Sequence, residues 1–581
     1  MKRIVIVGGG FAGAYAAQAL ERTLRKRDDI EILLYCRENY TVFQPMLPEV
    51  ISGTIGLTDV VTPLRRMLKR THVHVREIES IDVDNKTVSV AAGFKPHAHV
   101  EPYDHLIIAP GTVTDFRGLP GLPEHALPFK NLADALELRS RVIRALEEAD
   151  VESDDPELRR QLLTFVVAGG GFSGVEVVAE LNDFVRHVAK LYRRIDPREI
   201  RVVLVHAQDR ILPEMKTKLG AFAQRILRKR GVELMLGYRL HAATGESALL
   251  SGPNGVVTVP TKTLVSTIPA SPHPLIDSLK LPKTKNGRLV VDGTLRVKDR
   301  DDVWALGDCA SVPAPDGTPA PPTAQHATRQ AKLVAENIAA VIRHGNPKRV
   351  PIPSRDGLRS AEPSAVHATG PVLATFEFQG LGKMGSLGRR NAVAEIFGIS
   401  ISGFLAWFLW RTIYLAKMSG WGRRLKVATS WTLDLFLEPD LVDLRLSGAG
   451  GAIHEHFEPG QNVFSEGELG DRVYIILSGR AEVVRRQSSG VGGEQLVAVL
   501  GPGECFGEMA LLDSAPRNAT IRCIEPMTVL SIPKREFGLL AANVPGLRAS
   551  FEQVTARRLA QRPSTESVAV PAPAQTQGGL Q

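Results

Sequence analysis

Two short runs of glycine carry the clearest chemistry in the chain. The first, Gly8-Gly9-Gly10-Phe11-Ala12-Gly13, follows the apolar run Ile4-Val5-Ile6-Val7; the second, Gly169-Gly170-Gly171-Phe172-Ser173-Gly174, follows Phe165-Val166-Val167. Each opens an alanine- and valine-rich stretch that reads as a helix. Glycines between a strand and a helix allow a tight turn and let backbone N–H groups approach a pyrophosphate at the helix N-terminus. Two such sites predict two dinucleotides, most simply a bound flavin and a visiting nicotinamide cofactor. Asp308 adds to the first site. It follows Gly307 at the end of the apolar strand that begins at Val303, where a carboxylate can accept from the hydroxyls of a flavin ribityl chain.

A third constellation lies near the C-terminus. Backbone N–H groups near Gly507 can hold a phosphate, Glu508 can accept from a ribose hydroxyl, and Arg517 can neutralise the phosphate with its planar fork of donors. Short alternating strands punctuated by glycine surround these residues over 453–535.

The elements that must position these groups need several domains, and 581 residues supply three or four. The net charge of +8 gathers beside aromatic residues rather than in a nucleic-acid motif, so no nucleic-acid partner is expected. Cys36, Cys309, Cys505 and Cys523 form no close pair, which indicates neither a disulfide framework, a redox dithiol nor a metal site. No signal peptide precedes the first strand, and a cytoplasmic chain is expected. Over 396–410 no residue is charged; read as helix, these residues span about 22 Å, short of a bilayer's hydrocarbon core of about 30 Å. Trp407, Trp410, Trp421, Trp431 and Tyr414 cluster there with Arg389, Arg390, Arg411, Lys417, Arg423, Arg424 and Lys426. Aromatics and basic residues beside an apolar face describe an interfacial anchor that does not span, here on an anionic membrane surface.

Residues 1–440 resemble the type II NADH:quinone oxidoreductases. The likeness rests on Val42-Phe43-Gln44-Pro45-Met46-Leu47-Pro48-Glu49-Val50, on the second fingerprint with Val175-Glu176-Val177-Val178-Ala179-Glu180-Leu181, on Arg210-Ile211-Leu212-Pro213, on Pro322-Thr323-Ala324-Gln325-His326-Ala327, and on Ser402-Gly403-Phe404-Leu405-Ala406-Trp407. The implied fold is α/β: a glutathione-reductase-like flavoprotein with two Rossmann dinucleotide-binding domains. The resemblance places FAD along Gly8, Gly10, Phe11, Ala12, Gly13, Gly111, Gly307, Asp308 and Ala324, with Glu38 a candidate for its ribose. It places NAD(P)H along Gly169, Gly171, Phe172, Ser173 and Gly174. Hydride would pass from nicotinamide to flavin, and the flavin would reduce a membrane quinone. It also implies Glu176, Gln325 and His326 as catalytic residues, Glu176 in proton handling, and Met46, Leu47, Pro48, Glu49 and Arg329 as quinone contacts. The first turn of a helix favours an acid at Glu176 on dipole grounds alone.

Residues 453–560 resemble the cyclic-nucleotide-binding domains of kinase regulatory subunits and bacterial catabolite regulators. The likeness rests on Phe506-Gly507-Glu508-Met509-Ala510-Leu511-Leu512 and Arg517-Asn518-Ala519-Thr520, supported upstream by Phe457-Glu458-Pro459-Gly460, Gly467-Glu468 and Tyr474-Ile475-Ile476-Leu477-Ser478-Gly479. It implies a β-roll binding a cyclic nucleotide through Gly507, Glu508, Arg517 and Asn518, with cAMP only mildly preferred over cGMP.

The expected division is a flavin domain in two parts (1–125 and 271–345) around an NAD(P)H domain (126–270). A loop with closing strands (346–389), the membrane-associating segment (390–440), the cyclic-nucleotide domain (441–562) and a disordered tail (563–581) follow. Two departures from the family pattern touch specificity. Arg329 stands where the family has glutamine, with Gln330 one residue on, and the strand that should end in an acid for the adenosine ribose ends at His206. NADH and NADPH therefore both remain open. The leading expectation is a peripheral NAD(P)H:quinone oxidoreductase on the cytoplasmic face of the cell membrane, with a homodimer as a candidate assembly and a cyclic nucleotide as a candidate regulator. The alternatives are a low-turnover redox and nucleotide sensor and a soluble reductase for a protein electron carrier.

Overall fold

The computed structural model describes residues 1–91, 99–116, 118–268, 271–344, 373–378, 380–418, 420–434, 442, 453–468, 472–486, 493–508 and 517–533. Residues 346–372 of the expected loop, Met509 to Leu512 and the tail 563–581 lie outside the described residues. The chain divides into two compact units, Met1–Leu444 and Arg445–Gln581.

The first unit is built on two five-stranded parallel sheets. In one, the strand order is Val303–Ala305, His105–Ile108, Lys2–Val7, Ile30–Cys36, His72–Val75. In the other it is Ala126–Pro128, Thr263–Ser266, Thr164–Ala168, Arg201–His206, Val232–Leu236. Central parallel strands are covered on both faces, so they read as unbroken apolar runs, as Ile4 to Val7 and Phe165 to Val167 do. Each fingerprint therefore leaves the carboxyl end of a central strand and opens a helix, Phe11–Thr23 in the first sheet and Phe172–Val188 in the second. The helix Phe11–Thr23 buries Ala12, Ala14, Ala16 and Ala17, small side chains that let it lie close against the helix Ala324–His344. This is the α/β, two-Rossmann-domain fold expected.

The apolar run over 396–410 is not one helix. The strands Ala392–Ile396 and Ile399–Gly403 form a hairpin, and the helix Phe404–Lys417 starts only after it. The alternation Ile399-Ser400-Ile401-Ser402 carries a strand period, and Gly398 and Gly403 sit at φ of +80° and +76°, where a helix cannot continue. A second helix, Trp421–Leu433, follows. No helix among the described residues is long and apolar enough to cross a membrane.

The second unit is an antiparallel sheet whose long strands Arg472–Arg486 and Thr520–Pro533 pair along most of their length, flanked by Ile453–Phe457 and Glu494–Leu500. Its core joins Phe464, Tyr474, Ile476 and Phe506.

Candidate functional site

A cavity of about 600 Å³ runs along the carboxyl edge of the first sheet. Gly8 takes φ +109°, and a Cβ there would lie 2.2 Å from the Ala109 carbonyl oxygen; a Cβ on Gly13 would lie 1.9 Å from that of Gly8. Gly10, between them, has nothing within 4 Å of its would-be Cβ. Two glycines thus close the turn onto the sheet, and the third leaves its backbone bare to the cavity, as a pyrophosphate requires. Gly111, Gly307, Asp308 and Ala324 line the same cavity, as do Phe11, Ala12 and exposed Glu38. The Gly307 N–H donates to Gln330 Oε1 at 2.8 Å, which fixes the turn carrying Asp308. Burial pushes the Asp308 carboxyl above its ordinary value, opposed by Lys130 and Arg288. These residues fit an FAD.

Lys130 is a residue that pattern reading missed. It lines this cavity and the next, its ammonium donates to Thr112 Oγ1, and burial lowers its pKa to about 8 against the pull of Asp308. Its only sequence cue is its place just after the apolar Pro128-Phe129 and just before the capping Asn131.

A second cavity, of about 620 Å³, draws on both fingerprint helices, the helix Ala324–His344 and the helix Phe404–Lys417. Phe11 and Phe172 reach it from the first positions of the two fingerprint helices, joined by Ser173, Glu176, Leu47, Pro48, Ala324, Gln325 and Arg329, and by Tyr414 and Lys417 of the helix Phe404–Lys417. Glu176 Oε1 accepts from the Ser386 N–H at 3.0 Å. Burial raises the Glu176 carboxyl to about 8, with Glu49 raising it further and the Ser386 bond opposing. Gln325 is held to the closing sheet: its Nε2 donates to the Gly382 carbonyl and its Oε1 accepts from the Leu381 N–H, both at 3.3 Å. The Arg329 guanidinium lies 3.9 Å over the Phe378 ring.

Three of the expected contacts turn elsewhere. Met46 is fully buried in the core. Glu49 is buried and faces inward, where its Oε2 accepts from Trp431 Nε1 at 2.6 Å. His326 packs against Phe376 and Phe378, with Nδ1 hydrogen-bonded to Thr323 Oγ1 at 2.6 Å. The cause is helical period: Gln325, Thr328 and Arg329 share the face of the helix Ala324–His344 that meets the cavity, and His326 does not.

The second fingerprint repeats the first. A Cβ on Gly169 would fall 2.4 Å from Thr267 Oγ1 and one on Gly174 1.8 Å from the Gly169 carbonyl oxygen, while Gly171 has only Glu214, at 3.7 Å. His206, at the end of the strand Arg201–His206, accepts from the Gly170 N–H through Nδ1 at 3.0 Å. The histidine that replaces the expected acid thus braces the glycine loop from below.

In the second unit, Gly507 takes φ +85°, and the Arg517 guanidinium donates to the carbonyls of Gly507 (2.7 Å) and Arg472 (2.9 Å) while lying 4.0 Å over the Phe464 ring. Glu508 and Arg517 are nearly fully buried, and Asn518 is half-buried. The fold brings Gly507, Glu508 and Arg517 together on the strand-end turns of one β-roll.

Two parallel sheets, each with its glycine turn, define a two-dinucleotide flavoprotein reductase, and residues 2–331 match the family model for pyridine nucleotide-disulphide oxidoreductases. All four cysteines are free, so the chain carries this class without a disulfide. Residues 381–437 match the NDH2 C-terminal domain and residues 454–543 the cyclic nucleotide-binding domain. The type II NADH:quinone oxidoreductase Ndh of Mycobacterium tuberculosis is 32% identical over 438 residues, covering 74% of this chain and 87% of that protein. An internal alternative NAD(P)H-ubiquinone oxidoreductase of Solanum tuberosum is 29% identical, with 76% and 87% covered. The solved structure of NDH2 from Plasmodium falciparum in complex with NADH shares the fold at a TM-score of 0.66 and 18% identity, covering 76% of this chain and 99% of that one. The chain belongs to the type II NADH:quinone oxidoreductase family and is an enzyme.

Proposed function

We propose that this chain catalyses the reaction of NADH, one proton and a membrane quinone to NAD⁺ and quinol, with FAD in the first cavity and the quinone in the second. The observation that carries this reading is the second cavity, where the starts of both fingerprint helices, the Ala324-Gln325 turn and the C-terminal helix meet around Glu176. FAD, when bound, supplies a two-electron carrier between nicotinamide and quinone. Gly10 and Gly171 expose backbone to the two pyrophosphates, and Asp308 accepts from the ribityl hydroxyls. Gln325 and Arg329 orient the acceptor, and Glu176 holds a proton at the cavity wall. Anaerobic titration with NADH and NADPH in parallel, then reoxidation by a short-chain quinone, tests the reading. Flavin reduction without catalytic reoxidation would favour the sensor instead.

Peripheral attachment to the cytoplasmic face of the membrane belongs to this reading. Phe397, Phe404, Leu405, Phe408, Trp421 and Leu425 are exposed, an apolar surface flanked by Arg389, Arg390 and Lys426. The combined substitution Phe404→Ser, Phe408→Ser and Trp421→Ser is expected to lower partitioning onto anionic liposomes at least about 10-fold, since each buried aromatic side chain contributes about 2 kcal/mol. Flotation at low salt measures this, and unchanged flotation would remove the anchor.

The β-roll is proposed to bind a cyclic nucleotide, cAMP mildly preferred, and to regulate turnover. Arg517→Ala should weaken cAMP binding about 100-fold or more, because a buried phosphate that loses its cation costs about 3–5 kcal/mol. Calorimetry on the full chain reads the affinity. Binding with unchanged liposome-coupled turnover would keep the site and end the regulation.

A further inference from the structure

We infer that Thr54, Ser52, Glu180 and Glu49 form a proton path from Asp434, at the end of the helix Trp421–Leu433, to Glu176 at the wall of the quinone cavity. The inference rests on the quinone reading above and adds to it a route and a direction. Each turnover moves a hydride from NADH, which carries both electrons and one hydrogen of the quinol. The second hydrogen is a proton from the medium, delivered to a quinone oxygen in the cavity.

From Asp434 to Glu180 the route is laid out in hydrogen bonds; from Glu180 to Glu176 it follows one helical turn, with Glu49 facing both. Asp434 is half-buried, and its Oδ1 accepts from Thr54 Oγ1 at 3.4 Å. Thr54 Oγ1 and Ser52 Oγ are 3.0 Å apart, and Ser52 Oγ lies 3.0 Å from Glu180 Oε2. Glu180 stands one helical turn after Glu176 on the helix Phe172–Val188, and Glu49 faces both. Ser52 and Glu49 belong to the short helix Pro48–Ser52, which packs on that longer helix and so brings the Ser52 hydroxyl to the Glu180 carboxyl. A hydroxyl passes a proton by accepting one on a lone pair and releasing its own from the other side. A proton taken up at Asp434 thus moves through Thr54 and Ser52 to Glu180, then by Glu49 to Glu176, and leaves for the quinone oxygen.

The charges facing each group are consistent with a relay. Glu176 faces Glu49. Glu180 faces Glu49, Asp183 and Arg230. Glu49 faces Arg411, whose guanidinium is 3.9 Å from Oε1, together with Asp434 and the Trp431 donor. Burial raises Glu176 and Glu180 each to about 8, so at neutral pH both hold a proton to give. Burial raises the Glu49 carboxyl as well, with Arg411 and the Trp431 bond opposing.

The test uses full-length, flavin-loaded enzyme reduced with NADH and mixed in stopped flow with a short-chain quinone. Thr54→Val removes the hydroxyl at constant shape, and Thr54→Ser keeps it. Reoxidation by quinone should slow about 10-fold or more in Thr54→Val, with a changed pH profile and a larger solvent isotope effect, as loss of a positioned proton donor predicts. Thr54→Ser should stay within about two-fold of wild type, and flavin reduction by NADH should be the same in all three. Reoxidation of Thr54→Val at wild-type speed across the pH range overturns the path, as does equal slowing in Thr54→Ser, which marks a packing role. Should Thr54→Val fail to hold flavin, Asp434→Asn at the outer end takes its place: slowed reoxidation with unchanged flavin reduction supports the path, and reoxidation at wild-type speed across the pH range overturns it. If wild type is not reoxidised by quinone at all, the quinone reading fails rather than the path.

Discussion

Asp308→Ala is expected to yield a folded chain without flavin. Asp308 stands at the carboxyl end of the strand Val303–Ala305, in a turn pinned by the Gly307-to-Gln330 hydrogen bond and pressed against Ala12, 2.9 Å from where a Gly307 Cβ would lie. The turn is therefore held whether or not the carboxylate is present, and the fold should survive its removal. The ligand should not. Each hydrogen bond to a charged acceptor contributes about 1.5–3 kcal/mol, so losing two to the ribityl chain weakens binding about 10²- to 10⁴-fold. Lys130 and Arg288 would also be left facing the cavity without their counter-charge. The ratio of flavin to protein absorbance after gel filtration measures the effect, with circular dichroism as the folding control. A stoichiometrically yellow Asp308→Ala protein would sink the assignment.

Glu176→Gln should separate the two halves of the reaction. The amide keeps the size of the side chain and an acceptor for the Ser386 N–H, but it has no proton to give. Quinone-driven reoxidation should fall about 100-fold, within the usual range for loss of a general acid, while flavin reduction by NADH changes little. The pH dependence carries a sign. Burial holds the carboxyl at about 8, so the wild-type group is a donor below that pH, and its step should slow as pH rises through about 8. The glutamine variant should be slow at every pH and lose that inflection. Equal slowing of both half-reactions would count against proton handling.

The two glycine turns, the parallel sheets and the position of Asp308 were legible because each depends on residues adjacent in sequence whose backbone needs are severe: a Cβ at Gly13 or Gly174 has no room. Glu176 was equally plain, two residues after Gly174 at the start of the helix Phe172–Val188, whereas Glu180, one turn on, gave no cue of its own. What sequence could not show was direction. Whether Glu49 meets the quinone or Trp431 depends on packing between segments some 380 residues apart, and His326 left the cavity by a rotation of 100° from its neighbour Gln325 along the helix. Lys130 carries no motif at all; its lowered pKa comes from burial among the cavity walls, against the pull of Asp308. The hairpin before the helix Phe404–Lys417 was hidden because lack of charge was read as one element, although the Ile-Ser alternation and Gly403 already marked a change of period.

The helix Phe404–Lys417 has two working sides. Ala406, Trp410 and Tyr414 face inward, and Tyr414 with Lys417 helps wall the second cavity, while Phe404, Leu405 and Phe408 face out. On the proposed reading, this one helix meets both the membrane and the quinone. Thermodynamic linkage then imposes a reciprocity: by whatever factor adsorption of the outer side to lipid tightens the hold on quinone within, quinone tightens adsorption by the same factor. Substrate supply would then act as a clutch, keeping the enzyme at the bilayer while there is quinone to reduce and loosening it when the pool is spent.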